Sequence, residues 1–191
     1  MRVHVLALDG VFDLGLSAVL DAFQTANELA EMSALSGERF DVKIVGVTKS
    51  IKTSQGLTVP VQAIGSKAPD CVVVPAIGFK MPERLEVALA RPDIQDAAVL
   101  LRRWARKGAM MTAACIGTFV MAESGLLDHQ RATTTWWLAP ADSAERSPCA
   151  IRRLERICRH RSIGLIRKMG TDPPAMFSIA EGTARYGLRA R

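Results

Sequence analysis

No apolar run in this chain approaches the roughly 20 residues a membrane-spanning helix requires, and its 191 residues contain no internal repeat or low-complexity stretch. The N-terminus reaches a charge too early for a secretory signal, with Arg2 and Asp9 bracketing its apolar segment. Cysteine is scarce: Cys71, Cys115, Cys149 and Cys158 form no CxxC pair and have no histidine at metal-ligand spacing. Neither a zinc site nor a disulfide framework is expected from them. These absences predict a cytoplasmic protein with no metal, no cofactor and no membrane partner. Excess positive charge is also missing from most of the chain. Residues 1–141 carry 14 basic and 14 acidic side chains, whereas residues 142–191 carry 11 against 5, the whole of the formal net charge of +6. A nucleic-acid reading must therefore rest on the tail.

What is present is enough apolar material, 49% of residues, for one domain and a tail. Val3–Leu8 reads as a buried strand closed by Asp9-Gly10, and His4 within it as a packed or edge histidine. Leu16, Val19, Leu20, Phe23, Ala26 and Leu29 recur at helical spacing over 16–31. Phe40–Val47 is a second strand, and Ser54-Gln55-Gly56 turns into Leu57–Val61, an edge-type segment because Pro60 lacks an N–H. Cys71–Pro75 is nearly all apolar, as for a parallel strand covered on both faces. Helices follow over 83–90 and 93–107, preceded by Pro82 and Pro92, with Gly108 as a cap. The strand Ala109–Ala114 leads through Cys115 to a short helix from Gly117 to Ser124, capped by Gly125. This alternation predicts an open parallel α/β sheet with helices on both faces over residues 1–141. Residues 142–191 form a separate basic tail in which Ala150–His160 has the spacing of an amphipathic helix.

The informative stretch is Met110–Phe119. A nucleophile elbow needs a buried strand, a reactive residue in a strained turn and small neighbours; Ala113, Ala114 and Gly117 supply the neighbours of Cys115. Cys115 would then stand at the carboxyl ends of the strands, before a helix N-terminus that favours the thiolate. The competing reading is an inert buried cysteine that ends a strand.

Four segments carry a resemblance: Leu14–Phe23, Val72–Pro75, Ala114–Asp128 and Arg131–Trp136. In their order and spacing the chain resembles the ThiJ/PfpI superfamily, whose fold is flavodoxin-like and akin to class I glutamine amidotransferases. It is most similar to the N-terminal domain of GlxA-like, AraC-type transcriptional regulators. The resemblance covers about residues 2–140 and implies Cys115 as the elbow residue. Departures bear on activity. Thr135 stands where family members commonly carry histidine, and the nearest histidine, His129, lies six residues earlier. Gly15 stands where superfamily hydrolases and deglycases place a glutamate. Asp13 matches an aspartate used by the isocyanide-hydratase branch, although Ile116 replaces the threonine of that branch's elbow; alternatively, Asp13 caps the helix beginning near Leu16. Backbone amides around Ile77 and Gly78, with those of Ile116 and Gly117, are expected to form an anion or oxyanion nest beside Cys115. Trp136 and Trp137 read as core or interface residues, and Met110, Met111 and Met121 as core filler.

GlxA-like regulators continue into two DNA-binding helix-turn-helix units, a longer module than the 50 residues that follow Ala141. Ser178–Arg189 has only a faint likeness to one such unit, and the tail lacks the segments that complete a ThiJ/PfpI sheet. The C-terminal part is therefore expected to be incomplete or atypical. The resemblance implies a ligand-sensing, dimerising domain of such a regulator, truncated before its DNA-binding module, with an unidentified small-molecule ligand, a second copy as partner and weak DNA binding through the tail. The alternative is a Cys115-dependent hydrolase, deglycase or isocyanide hydratase.

Overall fold

A computed structural model of the chain describes residues 1–33 and 39–128. His129, Thr135, Trp136, Trp137, Cys149, Cys158, the helix expected over 150–160 and the segment 178–189 lie outside the described residues. In chain order the elements are β1 (Arg2–Leu6), α1 (Asp13–Met32), β2 (Asp41–Val45), β3 (Ser50–Lys52) and β4 (Thr58–Pro60). They continue with β5 (Cys71–Val74), α2 (Pro82–Leu89), α3 (Pro92–Arg106), β6 (Met110–Ala113) and α4 (Gly117–Glu123).

Strands β2, β1, β5 and β6 lie side by side in that order, all parallel. The two inner strands explain the apolar runs, since Val3–Leu6 and all of β5 are buried. The outer strands β2 and β6 are only partly covered. Alternation along each inner strand separates two cores. Val3, Val5, Cys71 and Val73 face one side, where Leu16, Val19, Leu20 and Phe23 of α1 cover them. Leu6, Val72 and Val74 face the other, against Leu85, Ile94, Leu101, Trp104 and Phe119 of α2, α3 and α4. Leu6, Ile94, Leu101 and Phe119 are at most 1% exposed, and burial of each such side chain contributes roughly 1.5–3 kcal/mol. The expected open parallel sheet with helices on both faces is thus observed.

Several boundaries differ from the sequence reading. Helix α1 begins at Asp13 rather than near Leu16, because the Leu16 amide reaches the Phe12 carbonyl (2.9 Å) and closes a turn three residues earlier. Its N-cap is therefore Phe12, and Asp13 lies inside the first turn, so Asp13 is not the cap. The prolines expected to precede two helices are their first residues, where a fixed φ is already helical and no N–H is needed. Gly108 ends α3 as expected, at φ +85°. The segment around Pro60 is an edge strand as expected, though in a separate hairpin and not in the main sheet: β4 pairs antiparallel with β3, Pro60 opposite Ser50. Ser50-Ile51-Lys52 holds one apolar residue in three, too weak a pattern to announce a strand.

His4 is a packed histidine. It is 8% exposed, its ring meets Trp104 edge-on at 5.4 Å, and its Nδ1 is buried without a partner among the described residues. Burial lowers its pKa below the usual 6.5; Lys43 and Arg2 push the same way and Asp41 opposes them. The folded protein thus takes up this proton less readily than the unfolded chain. The resulting stability is complete above pH 6.5 and is lost as pH falls from 6.5 through the lowered native value. Denaturant melts of the wild type should weaken across that window, and His4→Phe should remove this component of the slope. Identical pH profiles for the two proteins would refute the assignment.

Candidate functional site

Strand β6 ends at Ala113, and the chain must reverse within three residues to enter α4 at Gly117. It does so by placing Cys115 at φ +51°, the one non-glycine residue with positive φ among the described residues. Such a conformation costs roughly 1–3 kcal/mol and persists only where neighbours enforce it. The Ala114 amide donates to the Val74 carbonyl (3.0 Å), the Gly117 amide to Ala114 (2.9 Å) and the Thr118 amide to Cys115 (3.1 Å). Gly117 is obligatory for a second reason. A Cβ there would lie 2.3 Å from the Val74 oxygen and 2.6 Å from that of Pro75, so any side chain would overlap backbone. Cys115 itself is half-buried, a free thiol packed on the edge of the larger core. The elbow geometry read from small neighbours is present.

The residues expected around it are arranged less simply. Asp13 Oδ2 accepts the Ser54 hydroxyl (2.8 Å) and the Gln55 amide (3.1 Å). The Thr53 hydroxyl foremost, with Ser54 and Gln55, holds its carboxyl below the usual range. Asp13 is thus the anchor of the β3–β4 turn, and no hydrogen bond joins it to Cys115. Gly15, at the position of the superfamily glutamate, packs against Phe12 and Ala76; a Cβ there would stand 3.3 Å and 3.8 Å from them. The expected nest is reduced. The Gly78 amide donates to the Gly10 carbonyl (2.6 Å), and the Gly117 amide is spent on Ala114, so neither faces a ligand. Gly78 serves instead as a close contact, since a Cβ there would meet Ser54 at 2.4 Å. Ile77, buried opposite Val11, and Ile116 keep amides without an acceptor among the described residues.

Sequence reasoning missed the clasp that assembles these loops. Arg91 at the start of α3 donates to the Asp9 carbonyl (2.9 Å), pairs with Asp93 and lies over Phe79. Asp9 in turn accepts the Lys52 amide at 2.7 Å. Lys80 stands 5.0 Å from the centre of the Phe12 ring, beside the loop that carries Ile77. Apart from Arg91 and Asp93, these partners are not near in sequence, so no local spacing could announce them. Among the described residues no group of His, Cys, Asp or Glu is placed to hold a metal ion.

The geometry offers a strained, partly accessible thiol with no side-chain base hydrogen-bonded to it among the described residues. Cys71, by contrast, is 3% exposed within β5, and burial raises its pKa. Brief alkylation of the native protein at neutral pH, followed by peptide mapping, should therefore label Cys115 well ahead of Cys71. Equal or preferential labelling of Cys71 would contradict the exposure assigned to the elbow.

Comparison with known proteins agrees with this geometry. The chain is 31% identical over 138 residues to the uncharacterized protein in the cpoL 5′ region of Streptomyces lividans, a match spanning 71% of this chain and 87% of the relative. Its fold is similar to that of a candidate transcriptional regulator from Vibrio parahaemolyticus, with a TM-score of 0.54 and 22% identity over 73% of this chain and 69% of that one. It is similar also to a candidate protease I from Bacteroides thetaiotaomicron, with a TM-score of 0.51 and 22% identity over 73% and 76% of the two chains. Residues 1–146 match the DJ-1/PfpI family, the ThiJ/PfpI superfamily to which the motifs pointed, and with its open parallel sheet and cysteine elbow the chain belongs to that family.

Proposed function

We infer that this chain is the ligand-sensing and dimerising domain of an AraC-type, GlxA-like transcriptional regulator acting in the cytoplasm. One observation carries the reading: Cys115 occupies an elbow, and among the described residues no side-chain acid or base is hydrogen-bonded to it, Asp13 being held by the β3–β4 turn through Oδ2 while its Oδ1 is buried without a partner. Asp13 is bound to the β3–β4 turn, and Gly15 offers no carboxylate. A nucleophile without a positioned base loses proton transfer worth about 10²–10⁴-fold. A site of this kind binds better than it turns over. The similar Vibrio parahaemolyticus protein, described as a candidate transcriptional regulator, supports the same reading. The partners are an unidentified small molecule at the elbow and a second copy of the chain. The excess basic charge of residues 142–191 supplies weak, sequence-indifferent contact with DNA phosphates.

The second reading, a Cys115-dependent hydrolase, deglycase or isocyanide hydratase, is favoured by the strain stored at φ +51°. Two measurements on the full chain separate them. Turnover of methylglyoxal adducts, simple esters and isocyanides should be negligible. A screen of small molecules should find one that raises the melting temperature of the wild type and loses its effect in Cys115→Trp, which fills the elbow. Robust turnover abolished by Cys115→Ala would overturn the sensor reading.

A further inference from the structure

At the opposite end of the sheet from Cys115, the amino-terminal ends of β1, β5 and β6 open on a groove. It is an open depression of about 760 Å³ lined by Arg2, Lys67, Pro69, Asp70, Lys107 and Gly108 among others. Its floor is set by Asp70. The Arg2 amide and guanidinium both donate to the Asp70 carboxylate, at 2.6 and 3.1 Å, and the Asp70 carbonyl accepts the Met110 amide at 2.9 Å. One residue thereby ties the starts of three strands together. The backbone and side-chain hydrogen bonds from Arg2 hold the Asp70 carboxyl below its usual range, so it stays ionised and neutralises Arg2.

Lys67 and Lys107 are left over. Lys67 enters from the loop before β5 and Lys107 from the end of α3, and neither has a carboxylate partner among the described residues. Two exposed lysines from separate segments thus line the groove, together with a single carboxylate that already pairs with Arg2. The groove lies at the other end of β6 from the elbow, a strand spanning roughly 10 Å at about 3.3 Å of rise per residue. The first 141 residues are electrically balanced overall, so this is a local asymmetry and not a basic face.

We propose that this groove binds the phosphate group of a small phosphorylated molecule. A phosphate monoester carries about −1.5 to −2 charge at neutral pH, which matches the two uncompensated ammoniums, whereas a monocarboxylate matches only one. The volume exceeds that of a phosphate group and leaves room for the organic part.

Calorimetric titration of the full chain with inorganic phosphate, glucose 6-phosphate and acetate, at constant ionic strength, tests this. Phosphate or its monoester should bind saturably and acetate much more weakly; the tighter of the first two identifies whether free phosphate or a phosphorylated molecule is the ligand. Lys67→Ala/Lys107→Ala should weaken binding roughly tenfold or more, the scale of losing two charge contacts at high effective dielectric. Asp70→Asn should strengthen it by releasing Arg2, an opposite sign that general loosening of the fold would not produce. Lys49→Ala, away from the groove, should leave it unchanged. Absence of saturable binding, or affinity unaltered in the double variant because other basic residues carry it, would overturn the proposal.

Discussion

The arrangement around the site depends on one close approach, that of the start of α4 to the end of β5. With a glycine at 117, the backbone of the turn sits against the Val74 and Pro75 carbonyls, at distances no side chain permits. That contact leaves too little chain between β6 and α4 for an ordinary turn, and Cys115 absorbs the mismatch by taking positive φ. The strain is held in place by the buried sides of α4, where Phe119 and Val120 are fixed in the larger core. The reactive group is thus positioned by packing beneath it and not by side-chain partners around it.

A second set of contacts organises the loops at the same end of the sheet. The β3–β4 hairpin is bonded to the segment after β1 through Asp9, Gly10 and Val11, and to α1 through Asp13. Gly78 locks its own loop to Gly10 and to Ser54. Asp13 Oδ2 and the Gly78 amide are consumed in joining one loop to another, whereas Asp13 Oδ1 is buried without a partner among the described residues.

Much of the architecture was legible before any coordinates. The apolar run of β5, the helical spacing of α1 and α3 and the proline and glycine punctuation all mark elements that are present, because burial on one or two faces leaves a local periodic trace. The elbow was legible too, since the small residues Ala113, Ala114 and Gly117 are local requirements of a tight strand-to-helix passage. The hairpin strand β3 was not, because Ser50-Ile51-Lys52 buries a single side chain and is held mainly by pairing with β4. The contacts of Asp13 and Gly78 were not legible for the same reason. Their partners, Ser54, Gln55 and Gly10, are distant in sequence for at least one end of each bond, and residue type alone does not say which acceptor a side chain or amide will find.

The sequence by itself determined the parallel α/β order, the two-sided burial of the inner strands and the presence of a cysteine at a strand-to-helix turn. These follow from periodicity, propensity and the size of adjacent residues, all properties of short segments. Only the tertiary structure decided that Cys115 is strained, that Asp13 serves the hairpin, that the Gly78 and Gly117 amides are spent, and that Lys67 and Lys107 share a groove without a counter-charge. Each of these depends on which distant segments meet, and hydrogen-bond capacity and charge are satisfied in space, without a repeat along the chain for a reader to detect.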